Sequence, residues 1–412
     1  MPDRLDQRLD LRTLLAAVEE APPIDVVDAL AGELAGMVDA TQVSLLIANF
    51  SGTAVVRLSH VTGGRSLRNG HNERGESLPL TDSVYQRVVF TQELEIIEDG
   101  GSHVVLIPVT ERGDAIGILE LSLPRSPDAR TVGYLEAAAH ALAYVLIASR
   151  RHTDLFEWAQ RDTPFSLAAE VQRRLLPSAY TAECGPFTIA GWLEPAHEAG
   201  GDTFDYSIDR EHLYVSITDA VGHSTQAALL ATLTVGSLRN SRRALASPAE
   251  QADEVNCVLL ADARDDQFVT GQLIRIRLAD GTAELVNAGH PAPCLVRDGR
   301  AERLDFAAEP PFGVGADPYT VQTLRLLPGD RLLLLTDGYL ERNAVRVDVE
   351  RILAETIDRH PRQIVQELAH RVLEATGGRL RDDATAVCID WLGPAGSRDA
   401  TGGSSHARTT VP

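Results

Sequence analysis

The sequence predicts an α+β protein of two unlike units joined by a helical connector: a small α+β unit, then a largely antiparallel sheet system flanked by helices. In the second unit, short strand-like runs mostly bounded by Gly, Pro or Asp turns outnumber helical stretches. Between residues 132 and 156 the apolar pattern changes to alternating steps of three and four. A chain of 412 residues is too long for one ordinary core, and 44% hydrophobic with 24% charged residues is ordinary for a globular protein.

In the first unit, IDVVDALAGELAGMVDA (24–40) has helical spacing after an N-terminal segment, residues 1–23. Strand-like QVSLLIANF, TAVVRLSHV, HVVLIPVTE and AIGILELSLP follow, the last two joined by a turn at Arg112 to Asp114. A polar, glycine-bearing loop from Thr62 to Leu78 interrupts them, suited to a ligand lid or to plain variability. The unit spans residues 24–148, and a connector over 132–176 overlaps its end. Val132, Leu135, Ala139, Leu142, Leu146, Ser149, Thr153 and Phe156 form a seam there, which serves either a coiled coil or a helix packed back on its own sheet. Thr163-Pro164 should break that helix before SLAAEVQRRLLP resumes it.

The second unit, residues 177–392, offers strands FTIAGW, LYVSIT, QLIRIRL, AELVNA, VQTLRL, RLLLLT and TAVCID. Helical pieces are expected at 224–240, 247–262, 347–358 and 361–375, the last with Pro361 at its first position. Residues 393–412 have almost nothing to bury and are expected to form a disordered tail.

Composition excludes some functions. A formal net charge of −21 argues against a general nucleic-acid or anionic-membrane binder, which needs a basic face. Cys184, Cys257, Cys294 and Cys388 are far apart with no C-x-x-C pair, so neither a zinc knuckle nor a disulfide framework is indicated. MPDRLDQRLDLRTLL has no apolar core of a secretory signal, and YLEAAAHALAYVLIAS (134–149) is too short to span a bilayer, so a cytoplasmic protein is expected.

The chemistry is concentrated in acids at strand ends. Asp202 stands in EAGGDTFDY, Asp219 ends LYVSITD, Asp337 ends RLLLLTD, and Asp382 with Asp383 precedes ATAVCID. Carboxylates converging at ~4 Å and an effective dielectric near 20 would repel by about 4 kcal/mol per pair, and bound cations are the natural resolution. Taken singly, each aspartate could equally cap a turn or a helix.

Together, PAHEAGGDTFDY, ITDAVGHSTQAALLATL, NAGHPAP, LLLLTDGYLERN and RDDATAV resemble, in order over roughly residues 166–392, the motifs of the SpoIIE/RsbU-type branch of the metal-dependent PP2C serine/threonine phosphatases. SLAAEVQRRLLP resembles the helix that leads into such domains, and residues 24–148, on strand pattern and IPVTERGDAIGILEL, resemble a GAF sensory domain. The resemblance implies a PP2C-like, largely antiparallel β-sandwich flanked by helices behind a GAF-like domain. It implies two Mn²⁺ or Mg²⁺ ions bridged by Asp219, one also held by Asp202 and the main-chain carbonyl of Ala220, the other by Asp337 and Asp382. Asp383 stands where relatives carry Asp or Asn and is taken as supporting the ligands, although the choice between Asp382 and Asp383 stays open. Asp205, in the same motif, would orient its neighbours, and Gly222 would let the chain turn close to the ions.

Hard oxygen donors suit Mn²⁺ or Mg²⁺, and a metal-activated water needs no covalent phosphoenzyme. The implied substrate is a phosphoserine or phosphothreonine on a regulatory protein, an anti-sigma-factor antagonist of the STAS type, with a small-molecule ligand of the GAF-like domain and a homodimer whose connector helix (166–176) passes the signal on. GHS, GGDTFD and TDGYLERN depart from the commoner GHG, GGDFYD and TDGVTEARN without removing an implied ligand. The alternative is a catalytically silent partner-switching binding module. A diguanylate-cyclase reading of GGDTF fails because Thr203, not an acid, follows Asp202. His290 and His223 are read as structural or loop residues, Thr336 and Ser224 as backbone-bonding hydroxyls, and His60, His71 and His103 as scattered surface residues.

Overall fold

The computed structural model describes residues 10–62, 65–66, 75–161, 165–196, 200–222, 224–262, 267–315, 317–340, 347–378 and 380–396. His71, Thr163-Pro164, His223, most of the loop from Thr62 to Leu78 and most of the C-terminal segment lie outside the described residues. The chain divides into two compact units, with the boundary after Pro164.

In the first unit, helices α1 (Leu11–Glu20) and α2 (Val26–Val38) precede strands β1 (Gln42–Ala48), β2 (Ala54–Thr62), β3 (Arg65–Ser66) and β4 (Ser77–Pro79). Helix α3 (Val84–Thr91), strands β5 (Glu95–Asp99), β6 (Ser102–Glu111) and β7 (Asp114–Leu123), and helices α4 (Ala129–Ser149) and α5 (Leu155–Ala159) follow. The antiparallel sheet runs β3-β2-β1-β7-β6-β5, with β4 beside β2. Helices α1, α2 and α4 cover one face around Leu34, Leu45, Leu121 and Leu142. Helix α3 covers the other through Val88, against Leu46, Leu106 and Ile118. On that second face the buried Glu120 is bonded by Arg57 Nη1 (2.5 Å) and Tyr85 OH (2.6 Å).

The seam faces this unit's own sheet: Leu135, Ala139, Leu142 and Leu146 are fully buried in its core. A heptad-like pattern and an ordinary amphipathic stripe share the same steps of three and four, which is why both readings were open. Nor is the connector one continuous helix, since α4 stops at Ser149 and α5 is separate. Helix α4 is long and apolar enough to cross a membrane by length and composition, correcting the reading of that stretch as too short. Its apolar face is occupied by core packing.

The second unit starts with helix α6 (Leu167–Leu175), so the helix assigned to the connector belongs to this unit. Next come β8 (Thr181–Glu183), β9 (Phe187–Glu194), β10 (Asp202–Ile208), β11 (His212–Ala220), α7 (Ser224–Arg243) and α8 (Pro248–Asp262). Then follow β12 (Val269–Arg277), β13 (Thr282–Ala288), β14 (Cys294–Arg297), β15 (Arg300–Arg303), β16 (Gln322–Arg325) and β17 (Arg331–Leu335). A 3₁₀ turn (Asp337–Tyr339), α9 (Val349–Glu355), α10 (Pro361–Thr376) and β18 (Ala384–Trp391) complete it.

Two antiparallel sheets result, β10-β11-β12-β13-β16 and β15-β14-β17-β18-β9-β8. Phe204, Ile217, Ile274 and Leu285 of the first meet Ile189, Leu332, Leu334 and Val387 of the second in one core, a sandwich. Helices α7 and α8 cover the outside of the first sheet, and α9 and α10 the outside of the second. Helix α10 starts as expected at Pro361, behind a His360–Gln363 capping box. A buried ion pair fastens the loop before it: Arg331 grips Asp390 (2.6 and 2.8 Å) and donates to the carbonyls of Thr356 and Arg359.

Candidate metal-ion site

Strand β10 opens on Asp202, and the antiparallel register sets Asp202 opposite Asp219, the penultimate residue of β11. Asp337 opens the 3₁₀ turn after β17, and Asp382 and Asp383 immediately precede β18, the neighbour of β17 in the other sheet. Each sheet therefore brings acids from the ends of two paired strands. Thr336 and Thr385 join the two sets, since both hydroxyls donate to Asp202 Oδ2 at 2.7 Å. The Thr385 N–H donates in turn to Thr336 Oγ1 (2.9 Å), so the two threonines form one clamp.

Glycines make the close approaches. A Cβ on Gly201 would run into the carbonyl oxygen of Ala220, and one on Gly338 into the carbonyl of Asp383. On Gly200 it would lie 2.6 Å from Asp383 Oδ2. Gly222, at φ +98°, turns the chain just after Ala220 in a conformation that L side chains rarely adopt.

The acids have distinct surroundings. Asp383 is buried and saturated: Oδ1 accepts the Ala196 N–H (2.7 Å), and Oδ2 accepts the Gly200 N–H (3.1 Å) and Gln172 Nε2 (2.5 Å). Asp202 is buried, Asp219 and Asp382 half-buried, and Asp337 exposed. Burial, then the charges of Asp219 and Asp383, pushes Asp202 well above the usual carboxylate range. Burial and the charges of Asp337, Asp382 and Asp383 push Asp219 up to about 7, partly offset by a hydrogen bond with Asp202. Asp337 is raised too, by burial and by Asp382.

Some other buried aspartates of this unit are paired with arginine: Asp330 with Arg297 and Asp390 with Arg331. Asp205 has two, Arg239 at 3.0 Å and Arg242 at 3.1 Å, which makes it a clamp for α7 and turns its carboxylate away from the other acids' role. Among the described residues, none of Asp202, Asp219, Asp337 and Asp382 is ion-paired. Nor, among the described residues, do three His, Cys, Asp or Glu side chains already stand at metal-binding geometry. The donor set nonetheless fits a hard divalent cation: it is all oxygen, mutually repulsive and without a protein countercharge. The Ala220 carbonyl lies against Gly201 beside it, and the Ala220 N–H donates to Gly201 (3.3 Å).

His290 is buried, with Nδ1 bonded to Thr270 Oγ1 (2.9 Å), and Thr270 pairs across the sheet with Asp219. Burial pushes its pKa down to about 3, which keeps the ring neutral. Two residues of the site were missed by sequence reasoning. Gln172 of α6 donates to the Asp202 carbonyl as well as to Asp383, and its signal was a lone polar residue one turn after Ala168 on the buried face. Glu194, at the end of β9, bonds Trp192 Nε1 (3.2 Å) and is pushed up to about 7 by burial.

Fold and site thus define a two-sheet sandwich with an acidic end whose oxygen donors fit a divalent cation. Residues 209–392, most of the second unit, match the family described as Stage II sporulation protein E (SpoIIE). Asp219, Asp337, Asp382 and Asp383 fall inside the match, and Asp202 and Asp205 precede it. The chain is 26% identical over 215 residues to phosphoserine phosphatase RsbP of Bacillus subtilis, covering 50% of this chain and 51% of that protein. It is 21% identical over 234 residues to phosphoserine phosphatase RsbU of the same organism, covering 54% and 68%. The chain therefore spans about half the length of RsbP. A solved structure of RsbU and RsbW domains from Mycobacterium tuberculosis aligns with a TM-score of 0.47 at 24% identity, covering 52% of this chain and 63% of that one.

Proposed function

We propose that the second unit is a metal-dependent protein serine/threonine phosphatase that hydrolyses a phosphoserine or phosphothreonine on a regulatory protein. The observation that carries this reading is the set of four aspartates at or beside strand ends left without a basic partner among the described residues, in a unit where the buried Asp205, Asp330 and Asp390 each have an arginine. The names of the relatives, both phosphoserine phosphatases, support the substrate chemistry.

When bound, two Mn²⁺ or Mg²⁺ ions supply an activated water and neutralise charge on the phosphoryl oxygens. Asp219 would serve both ions, Asp202 and the Ala220 carbonyl one, and Asp337 and Asp382 the other. Thr336 and Thr385 hold Asp202 Oδ2, which fixes the rotation of that carboxylate. Asp383 accepts the Ala196 and Gly200 N–H groups, the second of these lying two positions before Asp202.

The substrate we infer is a STAS-type anti-sigma-factor antagonist in a partner-switching pathway. The first unit would act as a GAF-type sensor with a small-molecule ligand, in a cytoplasmic homodimer whose helix α6 relays the signal. The test is Mn²⁺-dependent dephosphorylation of a phosphoserine protein, with Asp219→Ala and Asp337→Ala as controls. Equal activity in all three would refute the metal mechanism, and a folded, metal-loaded wild type without activity would favour a silent binding module.

A further inference from the structure

We propose that Gln172 is a positioning residue of the candidate metal-ion site, one that ties the main chain at Asp202 to the Asp383 carboxylate without touching an ion. The proposal rests on the phosphatase reading above and names a residue that reading does not need.

Helix α6 is a short amphipathic helix with Ser166 bonded to the Ala169 N–H at its start (3.1 Å) and the Glu170–Arg174 pair at its surface (2.9 Å). Its buried side is small, Ala168 and Gln172. Burying a glutamine costs side-chain entropy and the desolvation of an amide, and any unbranched apolar residue would fill the space at lower cost. What the amide supplies is two N–H groups with two different acceptors. One goes to the Asp202 carbonyl (2.9 Å) and the other to Asp383 Oδ2 (2.5 Å).

These acceptors are distant in sequence and belong to opposite sheets. Asp202 opens β10, and Asp383 sits beside Asp382 at the start of β18. A single planar amide thus fixes the separation between the main chain at one proposed ligand and the residue adjoining another. The helix cannot slide along β10, because Arg239 bonds the Leu175 carbonyl (2.6 Å) with the same guanidinium that grips Asp205, three positions after Asp202. Gln172 and Arg239 therefore anchor α6 to one strand at two points. Partners of this outer kind carry about 10–100-fold in metal affinity.

The experiment uses the full chain with Gln172→Leu, the more flexible Gln172→Met, and Arg174→Ala on the outer face of α6. Mn²⁺ binding is measured by calorimetry, thermal unfolding is recorded without metal, and kcat and KM are measured on a phosphoserine protein. Expected are a Kd for Mn²⁺ raised about 10–100-fold in both Gln172 variants, a kcat largely restored at saturating Mn²⁺, an unchanged KM, and wild-type behaviour of Arg174→Ala. Wild-type Mn²⁺ affinity in a folded Gln172 variant would overturn the proposal, even if its melting temperature fell, because the amide would then be a packing element. Should the leucine variant not fold, the methionine variant decides. A wild type that binds Mn²⁺ without hydrolysis sinks the catalytic reading while the affinity comparison still judges Gln172. A wild type that binds no Mn²⁺ ends both.

Discussion

Asp202 and Asp219 stand opposite each other at one end of the β10–β11 pair, with no ion-pair partner for either among the described residues. Two acids in register are destabilising in a sheet unless something positive joins them. Asp219→Asn should therefore have opposite effects on two measurements. Without metal at pH 8, the variant should melt higher than the wild type because one mutual repulsion is removed. With Mn²⁺, its phosphatase activity should fall by at least about 100-fold, beyond the loss from an outer partner. A metal-free variant that melts lower would mean that the carboxylate is held by the protein alone.

Chelation gives a second check. Removing divalent metal with EDTA should abolish hydrolysis and lower the melting temperature of the wild type. Restoring Mn²⁺ at 100 times its Kd should return about 2.7 kcal/mol. An EDTA-insensitive activity would exclude the proposed mechanism.

Glycine substitutions separate space from ordinary backbone freedom. Gly201→Ala would press a methyl onto the Ala220 carbonyl and lie 2.7 Å from the Ala220 Cβ, so it should weaken Mn²⁺ binding roughly 10-fold and cost about 1–3 kcal/mol. Gly236→Ala, on the exposed side of α7 with nothing within 4 Å, should instead stabilise by about 0.5–1 kcal/mol and leave Mn²⁺ affinity alone. Calorimetry and urea unfolding of the two variants read both effects.

Acid should weaken the fold through His290. Its folded pKa of about 3 lies below the unfolded value near 6.5, so between these the unfolded chain binds a proton that the folded one refuses. Stability is full above about pH 6.5 and declines as pH falls toward 3, by about 1.4 kcal/mol per unit. His290→Gln should lose about 1.4 kcal/mol less than wild type between pH 7.5 and 5.5 in urea unfolding. His360, also lowered by burial despite its bond to Glu183, leaves a residual slope in that variant. Identical slopes would show that His290 is protonated in the folded protein.

The pair Arg331 and Asp390 tests the second sheet. Asp390→Ala leaves a fully buried guanidinium uncompensated and should cost about 3–5 kcal/mol. Arg331→Met with Asp390→Leu should cost less than that single change. A smaller loss in the single variant than in the double would contradict the pairing.

The strands that run up to Asp219 and Asp337 were legible because an acid follows a run of strong strand formers, although β11 continues one residue further, to Ala220, and β17 stops at Leu335. Strand β10 was not, since DTFDYSI carries two acids that lower strand propensity. What neutralises Asp205 is Arg239 and Arg242, 34 and 37 residues later and on a helix. The β14–β15 hairpin is signalled in the sequence by Asp298-Gly299, both with positive φ. Gln172 lay beyond sequence reasoning for a plainer reason: one of its acceptors is 211 residues away.

Strand β18 is inserted between β17 and β9, brings Thr385 to Asp202, and follows directly on Asp382 and Asp383. During synthesis, a chain that has emerged as far as α10 already carries Asp202, Asp219 and Asp337, yet the gap in its second sheet is still open. On the proposed reading, cation capture would thereby be tied to completion of the sandwich, and an unfinished chain on the ribosome would have no phosphatase activity. Fragments ending before Ala384 should bind Mn²⁺ no better than unfolded chain, so tight binding by such a fragment would break that link.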